Sequence, residues 1–290
     1  MIATSMRRAA WAASAVGLVL AAGAGASFAQ QPAAAPTAAP AAVPAALAAY
    51  DKAGPTKTVK VAEGPNCTIF RPETLAARTP IVLWSNGRDQ APDKYGVMLD
   101  QLASQGFVVA ATNAPRSGAG VEPLACLDWL TTQNTAAWSP YMGKLDLSKV
   151  GAAGHSMGGG GTIMAGKDAR IKATAPIQPY TAPGLGFVAG AQGSQNGPML
   201  VLSGGADTTA APDTHQKPVF EGANVPVVWA TLAGANHGVP ATGDSSQYRP
   251  AVIAWFRYTL MGDQTAGRAF TGAGCGLCSA AGWTVQKKGL

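Results

Sequence analysis

Seven short apolar runs punctuate the chain, with helical patterns between them. They are Cys67 to Phe70, Pro80 to Trp84, Phe107 to Ala111, Val150 to Ala153, Ala173 to Ile177, Met199 to Ser203 and Val225 to Leu232. Each has the length and the apolar, β-branched character of a strand buried on both faces. Between them, Tyr95, Met98, Leu99, Leu102 and Ala103 recur at helical spacing, and Gly106 ends that helix. Leu124, Leu127, Trp129 and Leu130 mark a second helix. Ala251 to Leu260, with Trp255 and Phe256, mark a late third. The alternation predicts an α/β fold, a mostly parallel central sheet with helices on both faces, in a single domain. The earliest run is expected as an antiparallel edge. In such sheets the chemistry lies beyond the carboxyl ends of the strands.

The beginning of the chain departs from this pattern. Arg7 and Arg8 precede an apolar run from Ala9 to about Ala22, and Ser27-Phe28-Ala29 offers small residues at a cleavage site. Residues 1–29 therefore read as a secretory signal peptide, too short for a membrane span. Residues 30–49 are nearly all Ala, Pro and Gln and read as a disordered tether. Residues 50–290 are left as the folded domain, exported to the periplasm or secreted. The formal charge of +6 includes Arg7 and Arg8, so the mature chain carries 6 − 2 = +4. No dense Lys/Arg run appears, which argues against nucleic acid as a partner. Nothing after the leader is long and apolar enough to span a bilayer. A mild positive balance fits solubility, or a polyanionic substrate. The pattern leaves oligomeric state open.

Four cysteines behind a leader predict two disulfides, and four allow three connectivities. Cys275 and Cys278 form C-x-x-C in a Gly-rich tail, outside the strand–helix context of a redox motif. A local structural bridge is expected there, which leaves Cys67 with Cys126. Zinc would need two more ligands, and the chain has three histidines.

The chemistry concentrates at Gly154-His155-Ser156-Met157-Gly158, followed by Gly159, Gly160 and Gly161. This matches G-x-S-x-G, a turn between strand and helix that lifts a serine hydroxyl clear of the backbone. Lys149 to Ala153 supplies the strand and Gly161 to Gly166 continues the helix. The bland alternative is an ordinary Gly-rich turn. A serine needs a base, and the base an orienting acid, in the chain order Ser, acid, His. His155 should point away from the base position. His215 reads as a surface helix start. His237, on a loop just after a strand, is the expected base. Asp207 follows the Met199–Ser203 run and is the expected acid. Asp168 reads as a solvated partner of Arg170, and Asp213 as a helix cap. The oxyanion donors are expected to be the backbone N–H groups of Met157 and Arg88, with Gly87 as the flexible residue before the latter. Gly161 to Lys167 imitates a phosphate loop, but Asp168 stands where Ser or Thr must bind Mg²⁺.

These residues resemble the bacterial cutinase and poly(ethylene terephthalate) hydrolase branch of the α/β-hydrolases, within the dienelactone-hydrolase-like group. The carriers are residues 154–161, Gln105 to Val109, Gly204 to Pro212 around Asp207, and Ala254-Trp255-Phe256 after His237. The resemblance implies the α/β-hydrolase fold, no metal or organic cofactor, and Tyr180 as an aromatic wall for substrate. Arg88 stands where the family usually has an aromatic residue. The C-x-x-C tail also differs from the family's usual C-terminal disulfide.

The expected function is an exported serine hydrolase that cleaves carboxylic esters, polymeric ones included, through Ser156, His237 and Asp207. Gly87, Arg88 and Tyr180 are the expected substrate contacts. One alternative is a depolymerase or amidase for an anionic polymer such as poly(aspartic acid), using the same triad. Another is a catalytically inactive, hydrolase-like binding protein.

Overall fold

The computed structural model describes residues 43–242 and 247–290. The signal peptide expected over 1–29 lies outside these residues, as does the expected tether up to residue 42. The last part of that tether is structured. Ala45–Tyr50 forms a 3-10 turn, and Leu47 is fully buried. Leu47 and Tyr50 together dock the segment on the core, and the Gln101 side chain donates to the Tyr50 carbonyl at 2.8 Å.

Among the described residues nine strands form one sheet: β1 (Thr58–Glu63), β2 (Cys67–Pro72), β3 (Thr79–Ser85), β4 (Val108–Thr112), β5 (Leu145–His155), β6 (Ile171–Ile177), β7 (Met199–Gly204), β8 (Val227–Leu232) and β9 (Trp283–Lys288). Their spatial order is β1-β2-β4-β3-β5-β6-β7-β8-β9. The six strands from β4 to β8 run parallel, and β2 joins β4 antiparallel. β1 and β9 pair antiparallel with β2 and β8 at the two outer edges. The early run at β2 is thus antiparallel, as expected, but β1 lies outside it. β1 and β9 are half-exposed and alternate in burial, so neither presents a continuous apolar run.

The helices are α1 (Gly96–Ser104), α2 (Val121–Gln133), α3 (Met157–Ala165), α4 (Pro212–His215), α5 (Lys217–Gly222), α6 (Arg249–Met261) and α7 (Gln264–Gly267). Strand side chains alternate between two cores. Val82 and Trp84 of β3 face Met98, Leu99 and Leu102 of α1 and the buried Trp255 and Phe256 of α6. Ile81 and Leu83 face Cys126, Leu127 and Leu130 of α2 on the other side. Farther along that second face, Ile163 of α3 and Val219 of α5 pack on Met199, Val201 and Val227. With both faces covered, the exposed ends of the parallel strands are left for chemistry. Among the described residues no helix is long and apolar enough to cross a membrane.

Both disulfides pair as expected, Cys67 with Cys126 and Cys275 with Cys278. The first ties β2 to α2 across a separation of 59 residues, the second closes a separation of 3. In the chain-entropy account the longer loop contributes about 4 kcal/mol and the shorter about 2. Replacing Cys67 and Cys126 together by alanine should therefore lower the unfolding free energy by about 2–5 kcal/mol in a urea titration. The Cys275/Cys278 pair should cost less.

Candidate active site

Ser156 ends β5 and begins α3 with φ 57° and ψ −122°, a conformation L-residues rarely adopt. Hydrogen bonds hold it there. Its N–H donates to the Ile177 carbonyl at 3.0 Å, and its own carbonyl accepts from Gly160 and Tyr180 at 3.1 and 2.9 Å. The tight turn presses the start of α3 onto the end of β3. A Cβ on Gly158 would lie 2.2 Å from the Ser85 carbonyl oxygen and 2.4 Å from that of Asn86, so only glycine fits.

Asp207 follows β7 and His237 follows β8. Backbone bonds from Gly205 to the Leu232 carbonyl (2.8 Å) and from Ala206 to the Ala235 carbonyl (3.0 Å) splice their loops together. The result is a connected series. His237 Nε2 lies 2.7 Å from Ser156 Oγ, and His237 Nδ1 lies 2.7 Å from Asp207 Oδ2. A carboxylate accepts only, so Nδ1 carries the proton and Nε2 is the acceptor facing the serine hydroxyl. The other oxygen, Asp207 Oδ1, accepts from the N–H groups of Thr209 (2.9 Å) and Ala210 (2.8 Å). Burial opposes the charge on Asp207. The bonds from His237, Ala210 and Thr209 outweigh it and hold the carboxyl below its ordinary value.

Ser156 and His237 open into a cleft of about 440 Å³ walled by Gly87, Arg88, Tyr95, Tyr180 and Leu185. Gly87, Arg88 and Tyr180, the expected substrate contacts, are all among the residues that line it. The Arg88 side chain is 59% exposed and lies 3.8 Å from Asp89. The Tyr180 ring stacks on His215 with centroids 4.7 Å apart and planes at 30°. A smaller hollow of about 210 Å³ shares Leu185 and is also lined by Met157, Arg116 and Glu122.

Three expectations need correcting. His215 is buried, not a surface residue; its Nδ1 accepts from the Thr181 N–H at 3.0 Å beneath Tyr180. The polar letters around it concealed a helix whose one inward position is this histidine. Asp213 sits exposed in the first turn of α4, and the N-cap position belongs to Ala211. His155 does not point away from His237. The two rings lie 4.9 Å apart, and His155 Nε2 is 3.0 Å from the His237 carbonyl oxygen. Tyr95 also lines the cleft, a role that its place in an apolar helix pattern conceals in the sequence.

A serine, an acid and a histidine in that chain order, beyond the carboxyl ends of β5, β7 and β8 of a mostly parallel sheet, define an α/β-hydrolase. The chain belongs to the PET hydrolase-like family, whose sequence model matches residues 26–276. It is 30% identical to the bis(hydroxyethyl) terephthalate hydrolase of Streptomyces coelicolor over 165 residues, covering 54% of this chain and 49% of that protein. It is 30% identical to cutinase est2 of Thermobifida alba over 149 residues, 49% of this chain and 47% of that one. A cutinase of Thermobifida fusca matches the same share of this chain at 30% identity, over 46% of its own length. The chain thus spans about half the length of the curated relatives it matches.

Burial, then the neighbouring His237, pushes His155 down to about 3 from 6.5. Between those values the unfolded chain binds a proton that the folded one refuses. The stabilisation is therefore whole above about pH 6.5 and drains as pH falls toward 3, at about 1.4 kcal/mol per pH unit. Denaturant titrations at pH 5 and pH 7 should show a steeper acid loss for the parent than for His155→Gln.

Proposed function

We propose that the protein is an exported serine hydrolase of carboxylic esters, polyesters included. The single observation that carries the reading is the series Ser156–His237–Asp207, with both links at 2.7 Å. Ser156 Oγ attacks the ester carbonyl while His237 Nε2 takes its proton. Asp207 fixes the imidazole tautomer and stabilises the imidazolium. The N–H groups of Arg88 and Met157 hold the developing oxyanion. His237 then protonates the leaving alcohol, and water deacylates Ser156 by the same route. Tyr180 forms the aromatic wall beside the acyl group. The names of the relatives, cutinase and bis(hydroxyethyl) terephthalate hydrolase, support ester substrates.

Export rests on the leader at 1–29 and fits the two disulfides, which persist in oxidising compartments. The domain proposed over 50–290 gains the docked turn at Ala45–Tyr50. For an anionic polymer, Arg88 would have to act as a free cation. Asp89 beside it offsets that charge, which favours neutral esters.

Ser156→Ala should lower kcat/KM on a p-nitrophenyl ester by about a thousandfold or more, with unchanged thermal unfolding. Retention of activity within about tenfold of the parent defeats the proposal. Arg88→Ala should leave turnover of neutral short esters within about threefold, because the proposed donor is a backbone N–H.

A further inference from the structure

Tyr95 closes the 3-10 turn Pro92–Tyr95 that leads into α1, and its side chain is 1% exposed. Its ring packs on Trp84, 4.9 Å between centroids. Its hydroxyl sits between two loops. The Gly87 N–H donates to Tyr95 Oη at 3.1 Å, and Oη lies 2.9 Å from His155 Nδ1.

The directions of these bonds are settled by one end. His155 Nε2 faces the carbonyl of His237 at 3.0 Å, and a carbonyl only accepts. Nε2 therefore carries the proton of the neutral ring, and Nδ1 is bare. The Tyr95 hydroxyl must donate to Nδ1, which leaves its oxygen lone pairs to accept from Gly87. Every donor in the chain meets an acceptor: Gly87 N–H to Tyr95 Oη, Tyr95 O–H to His155 Nδ1, His155 Nε2–H to the His237 carbonyl. Burial keeps His155 neutral, so the directions persist across ordinary pH.

Gly87 has a broad choice of backbone angles, and nothing in its own side chain limits them. Its N–H is held by Tyr95. Its carbonyl accepts from the Gln90 N–H at 3.1 Å. The Arg88 N–H belongs to the same rigid peptide plane as that carbonyl and points the opposite way. With both sides of the Gly87 Cα pinned, the aim of the Arg88 N–H is set. At the other end of the chain, the backbone of His237 is held through His155.

Resting on the ester-hydrolase reading above, we propose that Tyr95 is a positioning residue for that reaction. Its hydroxyl fixes the aim of the Arg88 oxyanion donor and joins it to the backbone that carries the base. Tyr95 itself does not touch the reacting atoms. The interaction it tunes is made in the transition state, so its removal should appear in kcat and not in KM.

Tyr95→Phe keeps the buried ring and deletes only the hydroxyl. We expect kcat per active site, counted by organophosphate titration, to fall about 10- to 100-fold on a p-nitrophenyl ester, with KM within about twofold. Affinity for a trifluoromethyl ketone, which adds the serine to form a tetrahedral oxyanion, should fall in parallel. A purely structural role would lower the number of titratable sites or the melting temperature and leave kcat per site intact. His155→Leu cuts the same chain from its other side and serves if the phenylalanine variant misfolds. The double variant should be no slower than the worse single one, because one chain cannot be cut twice. A kcat per site within about twofold of the parent in Tyr95→Phe, or multiplicative losses in the double variant, overturns the proposal. A parent that neither turns over esters nor is labelled at Ser156 overturns the hydrolase reading and this one together. An active parent with an unaffected Tyr95→Phe overturns this one alone.

Discussion

The turn at Ser156 is the constraint on which the site's geometry depends. A non-glycine residue at φ 57° and ψ −122° costs about 1–3 kcal/mol. It persists because β6 and the loop after it hold both its amide and its carbonyl, through Ile177 and Tyr180. So sharp a reversal starts α3 directly against the carbonyls of Ser85 and Asn86, with room only for glycine at 158. One close approach therefore does two things. It lifts the serine hydroxyl above the sheet, and it brings the first turn of α3 beside the loop that carries Gly87 and Arg88. The proposed nucleophile and the proposed oxyanion donors are consequences of the same backbone contact.

The charges around His237 follow a consistent plan. Its Nδ1 faces a carboxylate whose side chain has no solvent exposure yet remains ionised through three hydrogen bonds. Two other imidazoles lie close by. Burial lowers His155 and His215 alike, so neither competes as a cation. A second positive charge beside His237 would oppose the imidazolium that the proposed mechanism forms. The site thus sets the His237 imidazole beside a buried carboxylate and two rings whose burial disfavours their charged forms.

What could be read from the sequence was whatever a single local pattern dictates. Buried parallel strands advertise themselves as apolar runs, and Gly154 to Gly158 encodes a turn whose serine position is dictated by sterics. Asp207 and His237 each closely follow such a run, and the structure brings His237 to hydrogen-bond distance of both Asp207 and Ser156. Features whose cause is tertiary stayed hidden. β1 and β9 are amphipathic edge strands that pair only because β2 and β8 await them. The N-terminal half of β5, from Leu145 to Lys149, is partly exposed and lacks an apolar run. Leu47 looked like one apolar residue in a tether until a core received it. His215 and Tyr95 carry a meaning set by what sits opposite each ring, which no spacing along the chain contains.

The wall of the cleft shows how rigidity and openness are divided. Tyr180 is clamped from two directions: its N–H is bonded to the Ser156 carbonyl, and its ring lies on a histidine locked in turn by the Thr181 N–H. The flat face it offers is therefore preorganised, which spares the ordering cost of a mobile aromatic. Across the cleft the limits are looser. Arg88 projects toward solvent, and Leu185 is a single side chain shared between the main cleft and the smaller hollow by Met157. A long substrate needs one fixed surface to orient its carbonyl and an unblocked path for the chain on either side of the bond. A firm aromatic floor with open ends meets that need better than an enclosed pocket would. On these grounds polymeric esters belong within the proposed substrate class.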